Sequence, residues 1–229
     1  MLRALNFSVT TSVTEHDVLG TWAGLRPLVK SAASGRTADL SRQHKVTRSP
    51  SNVVTVTGGK LTTYRRMAVD TVDEVMAVFE RRARSRTSHI PLVGANGFVE
   101  AEAGSPAAHL NGRYGSEAPE VEGLLREDPA LARRLVPGLP YLAAEAVFAA
   151  RHEMAVTLDD ILSRRTRARL LARDDSAAAA ADVAAVVGPI LGWDDAERAR
   201  QVKAYVASVE HERTSAKLPE TALDAALGA

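Results

Sequence analysis

The sequence predicts a mixed α+β / α/β chain, with strands plus one long helix first and an all-helical part after it. Three observations carry this. Val53 to Arg66 reads VVTVTGGKLTTYRR, in which alternating β-branched residues run into a glycine pair and then into a helical pattern. Near residue 95 the texture changes, from Gly, Thr and Val to Ala, Arg, Leu and Glu with helical periodicity. Apolar residues make up 45% of the 229 positions but aromatics only 4%, so the core is built mainly of Ala, Val and Leu.

Taken in order, Ser8 to Val13 has the alternation of a short strand. Thr14 to Asp17 can begin a helical turn, with Thr14 as cap and Asp17 three residues on. Pro27 disfavours helical geometry at Arg26, so Arg26 is expected in extended backbone. Ser31 to Asp39 is a small-residue loop. His44 to Arg48 and Asn52 to Thr57 read as a hairpin around Ser49-Pro50-Ser51. From Lys60 to about Phe79, Leu61, Met67, Ala68, Val72, Val75, Met76 and Phe79 fall on one helical stripe.

The turn-rich segment Pro91 to Gly104 leads into the second part. Helices are expected near 106–114, 119–126, 130–135, 140–152, 158–173, 176–191 and 194–212. Thr157 with Asp160, and Asp194, are cap candidates. The resulting division is 1–94, 95–214 and a flexible tail, 215–229.

Charge and composition exclude several classes. A net charge of +1 predicts no broad attraction to nucleic acid. The absence of cysteine excludes disulfides, thiolate metal sites and cysteine catalysis, and fits a reducing compartment. The six histidines form no HxxxH or HxH pair, so no metal site is expected. No apolar run approaches the ~20 residues that span a bilayer.

The residues able to carry chemistry cluster at the strand–helix junction. Gly58 and Gly59 permit close approach of a ligand to the backbone. The amides opening the next helix carry a partial positive charge, and Lys60, Thr62 and Thr63 add a cation and two hydroxyls. An anionic group suits such a junction; so does the plain alternative, a turn that needs glycine with a threonine cap. Arg26 and Arg42 could together hold a phosphate, although each alone is an ordinary surface or ion-pair residue. His44 could transfer a proton or simply pack. The basic cluster Arg164, Arg165, Arg167 and Arg169 is spread around a helix, so ion pairs with neighbouring acids account for it best.

Taken together, GTWAGLRPLV, LSRQHKV and VTVTGGKLTTYRRMA, in that order, resemble the FAD-dependent, quinone-linked glycerol-3-phosphate dehydrogenases. HLNGRYG, LPYLAAEAVFAARHEMAVTLDDILSRRTRARL and LGWD resemble that family's C-terminal helical domain, and the likeness runs from about residue 8 to 212. The resemblance implies that the first part is a portion of an FAD/substrate-binding domain. It implies oxidation of glycerol 3-phosphate to dihydroxyacetone phosphate, with FAD as cofactor and a quinone as electron acceptor. It further implies a cytoplasmic protein, peripheral on the cytoplasmic face of the inner membrane, and is compatible with a homo-oligomer. By the same resemblance Arg26 and Arg42 bind the substrate phosphate, and Gly58, Gly59, Lys60, Leu61, Thr62 and Thr63 lie beside the flavin. No residue is identified as the catalytic acid or base. The family's GxGxxG turn, which grips the FAD pyrophosphate, does not occur in these residues, so the chain is expected to be a C-terminal portion that retains FAD poorly and is inactive alone. Two alternatives are an interaction module that associates with an intact subunit, and part of a related flavin oxidase.

Overall fold

The computed structural model describes residues 2–17, 24, 43–102 and 105–215. They fall into two compact units that divide between Leu92 and Val93, with residues 2–17 grouped with the later, helical unit.

Residues 2–17 open with a short helix, α1 (Leu2–Asn6). The strand expected over 8–13 does not form. The physical reason is local: the Asn6 side-chain amide donates to the Val13 carbonyl (2.8 Å) and its oxygen accepts from the Val13 amide (2.8 Å), occupying groups that a strand partner would need. The turn at Glu15–Asp17 does form. The Asp17 carboxylate accepts from the Thr14 amide and hydroxyl, which holds its pKa below the usual value.

The second unit holds the strands β1 (Lys45–Arg48) and β2 (Val54–Thr57). They pair antiparallel, with Lys45 opposite Thr57 and Arg48 opposite Val54. The turn closes through Asn52, at φ 63°, whose amide bonds the Ser49 carbonyl. After a short 3-10 turn (Leu61–Thr63) comes α2 (Tyr64–Val78). Met67, Val69, Asp70, Thr71, Glu74, Met76 and Val78 are its less exposed positions, and of these Asp70 and Glu74 pair with side chains of the hairpin. Of the expected apolar stripe only Met67 and Met76 are half-buried, Met67 lying against Gly59. The hairpin presents His44 and Arg48, and these draw Asp70 and Glu74 toward it, while Leu61, Val72 and Phe79 stay exposed. Among the described residues of this unit none is fully buried. The helix ends on Glu80 at φ 52°, with Glu80 N–H bonded to Ala77 O and Arg81 N–H to Met76 O. That is a Schellman closure with glutamate in the usual glycine position.

The helical unit contains α3 (Pro106–Tyr114), α4 (Ala118–Glu127), α5 (Ala143–His152), α6 (Ala168–Leu171), α7 (Arg173–Ala178), α8 (Ala180–Leu191) and α9 (Asp195–Ser215). At its centre is α5, buried from Ala143 through Ala149. Its alanines let α4 and α8 approach closely, so a core with few aromatics still packs. Two expected helices are remodelled. Residues 130–135 give only a 3-10 turn (Pro129–Ala132), because Leu135 N–H turns to the Tyr141 carbonyl. The helix expected over 158–173 becomes a π-helical turn (Asp160–Arg165) and then α6. The Thr166 amide and hydroxyl both bond the Ile161 carbonyl, and Arg167 stands at φ 56°, which ends the helical path. Both expected caps form. Asp160 accepts from Thr157 N–H (3.0 Å) and Oγ1 (2.8 Å), and Asp194 accepts from Glu197 N–H (2.7 Å).

Candidate functional site

The site is built where β2 passes into α2. Gly58 and Gly59 stand at φ 76° and 80°, two consecutive left-handed residues that only glycine adopts cheaply. Lys60 returns to extended backbone (φ −138°, ψ 156°) and the chain enters the 3-10 turn. Thr63 closes the turn back on Lys60: its hydroxyl accepts from Lys60 N–H (3.2 Å) and donates to Lys60 O (3.0 Å). That leaves the Lys60 ammonium and the Thr62 hydroxyl exposed and without a protein partner among the described residues, beside a Leu61 that is 87% exposed. Amides that open a helical turn have no carbonyl one turn earlier, so this edge offers N–H donors, a hydroxyl and a cation to an anionic or polar group.

The inner side of the turn is closed. A Cβ on Gly59 would stand 2.5 Å from Met67 Sδ and 3.2 Å from His44 Cβ. His44 Nε2 lies 2.8 Å from Asp70 Oδ2, and Arg66 Nε lies 2.9 Å from Asp70 Oδ1. The His44 hydrogen bond, with help from Arg66 and against a small burial penalty, lowers the Asp70 pKa. The His44–Asp70 pair has no local sequence signal, since 26 residues separate the partners. Arg26 and Arg42 lie outside the described residues, as do Trp22, the 31–39 loop and the tail beyond Ser215.

The helical unit contains a second polar centre that sequence reading missed. Glu145 is fully buried on α5. It accepts from Arg113 Nε (2.8 Å), His109 Nε2 (2.9 Å), Tyr114 OH (3.1 Å) and Leu142 N–H (2.7 Å). Arg113 also donates to the Arg165 carbonyl and lies against the Tyr141 ring, 4.9 Å from its centroid. Burial drives the Tyr114 pKa up, and the Glu145 charge adds to it. Burial alone would lower Arg113, but Tyr114, Glu145 and Tyr141 reverse that and raise it. This knot ties α3 to α5. The arginines of the 164–169 cluster serve similar purposes. Arg164 pairs with Asp159 (2.6 Å) and Asp160 (2.9 Å), Arg165 donates to the Glu153 carbonyl, and Arg169 pairs with Glu212 (2.7 Å). Among the described residues no His, Asp and Glu group could hold a metal ion, and no helix is long and apolar enough to cross a membrane.

Residues 85–198 match the family described as the C-terminal domain of alpha-glycerophosphate oxidase. Over 96% of its length the chain is 37% identical to glycerol-3-phosphate dehydrogenase 2 of Mycobacterium tuberculosis, and over 76% it is 41% identical to glycerol-3-phosphate dehydrogenase 1 of that organism. The chain is related to the glycerol-3-phosphate dehydrogenase family. It spans 40% and 35% of the length of those two relatives. The fold likewise matches the glycerol-3-phosphate dehydrogenase of Bacillus halodurans, solved in complex with FAD (TM-score 0.68, 25% identity, 91% of this chain and 43% of that one). The small two-stranded sheet followed by a helical unit is thus the architecture of this family's C-terminal part.

Proposed function

We propose that the chain forms the C-terminal part of an FAD-dependent enzyme that oxidises sn-glycerol 3-phosphate to dihydroxyacetone phosphate. The observation that carries this is the Gly58-Gly59-Lys60 turn, left-handed twice and then entering a helix with Lys60 and Thr62 unengaged, in a chain so related. FAD, when bound, would supply a two-electron acceptor for the hydride leaving carbon 2 of the substrate, with the C2 hydroxyl proton released to water and the two electrons passed on to a quinone at a membrane surface. In this reading Gly58 and Gly59 let the backbone approach the flavin. Lys60 and the first amides of the turn stabilise negative charge there. Leu61 and Thr62 supply an apolar and a hydroxyl contact, and Thr63 holds the turn in shape. Arg26 and Arg42 bind the substrate phosphate, a task suited to guanidinium forks.

These 229 residues contain no GxGxxG turn for a pyrophosphate. We infer that they bind FAD weakly by themselves and do not turn over. A purified preparation should be colourless and silent in dye-coupled oxidation of glycerol 3-phosphate; a yellow, active one refutes that inference. The enzymatic reading is tested by a chimera that joins these residues to the portion of an intact relative they do not cover. It should oxidise glycerol 3-phosphate, and Arg26→Ala or Arg42→Ala should raise KM for the phosphorylated substrate. Failure of a folded, flavin-loaded chimera to act on glycerol 3-phosphate would sink the reading.

A further inference from the structure

We propose that His44 and Asp70 are a positioning pair that seats the Gly58-Gly59-Lys60 turn on α2. The register of the hairpin puts Lys45 opposite Thr57, so His44 stands at the mouth of the turn. Gly59 lies against both His44 and Met67: a Cβ there would stand 3.2 Å from His44 Cβ and 2.5 Å from Met67 Sδ. Asp70 lies one helical turn beyond Met67 on the same side of α2. Its carboxylate is held at both oxygens, by His44 at 2.8 Å and by Arg66 at 2.9 Å. An ionised carboxylate only accepts, so His44 must donate from Nε2. One hydrogen bond thereby joins the residue just before β1 to the helix just after the turn, and the turn is caught between them.

A second tether, Arg48 to Glu74, links the same hairpin and helix at the far end of the strands. It is longer (3.3 Å), and its side chains are more exposed, 40% and 37% against 17% and 28% for His44 and Asp70. It can hold the helix on the hairpin but does not touch the turn. Of the two tethers, therefore, only His44–Asp70 settles where the Lys60 ammonium and the opening amides stand. The functional meaning of this seating rests on the flavin reading above; the seating itself does not.

The test uses amide spectra and exchange of the full 229-residue chain. His44→Ala should shift the Gly58, Gly59 and Lys60 resonances. It should also speed Lys60 amide exchange about five- to tenfold, the loss of roughly one net hydrogen bond. His44→Gln keeps an N–H donor at that place and should restore most of the wild-type pattern. Glu74→Gln, which weakens only the far tether, should leave the turn resonances in place. The proposal is overturned if His44→Ala leaves the turn unmoved, if Glu74→Gln moves it as much, or if Gln at position 44 behaves like Ala. The flavin-loaded chimera described above separates the two ideas: its failure to oxidise glycerol 3-phosphate would count against the flavin reading while leaving the seating result intact.

Discussion

Removing the carboxylate of Glu145 should destabilise the helical unit by about 3 kcal/mol. The side chain is wholly buried and is the shared acceptor for Arg113, His109, Tyr114 and Leu142 N–H. Glu145→Ala strands all four donors and leaves a guanidinium without its counter-charge. Breaking a buried pair in this way costs about 3–5 kcal/mol. Arg113 is 26% exposed, so part of its charge can rehydrate, and the lower end, about 3 kcal/mol, is expected. For a chain of this size that lowers Tm by about 6–12 °C. Glu145→Gln keeps the shape but sets an NH2 among donors, and should cost about 1.5–3 kcal/mol. Thermal and guanidinium unfolding followed by far-UV circular dichroism would measure both. Replacing both partners, as in Glu145→Leu with Arg113→Met, should recover stability relative to Glu145→Leu alone, because the unpaired charge is gone. If Glu145→Ala and Glu145→Gln each cost under about 1 kcal/mol, the network is not what ties α3 to α5.

Other outcomes follow from single positions. Gly59→Ala forces a Cβ against Met67 and His44 at φ 80° and should cost about 1–3 kcal/mol, read as faster amide exchange along β2 and the start of α2. Glu80→Gly relieves the left-handed closure of α2 and should stabilise the strand–helix unit by about 0.5–1 kcal/mol, seen as slower exchange in the last turn of that helix. Burial raises the Glu153 pKa above its ordinary 4.5, with Glu117 and Glu145 adding and Arg165 and Arg113 opposing. Its contribution to stability is therefore present below about pH 4.5 and lost as pH rises through the raised value. Glu153→Gln should then stabilise the chain near pH 7 but not near pH 4, which paired melts at the two pH values would check. Finally, amides of β1 and β2 should exchange faster than those of α5 and α8, since no described residue of the strand–helix unit is fully buried; equal protection would contradict this.

Several elements were legible because their signals are local. Alternating Val and Thr around Ser49–Asn52 specify a hairpin, a glycine pair specifies left-handed backbone, and Thr157–Asp160 and Asp194 specify caps; each involves residues within a few positions of one another. The strand expected at 8–13 failed because alternation is only a tendency, and Asn6 offered the Val13 backbone a nearer partner. The helix expected over 158–173 failed because Thr166 competes for the Ile161 carbonyl, which a count of apolar spacing does not register.

By itself, then, the sequence determined that strands and one long helix precede an all-helical part, and it determined the chain's turn and cap chemistry and its resemblance to a family. The tertiary structure alone decided which groups meet across the chain. The helix after the glycine turn meets the hairpin through His44–Asp70 and Arg48–Glu74, and Glu145 stands buried at the centre of the α3–α5 knot. Such pairings depend on which faces come together after residues 26 to 36 apart converge, and no periodicity within either segment encodes that meeting.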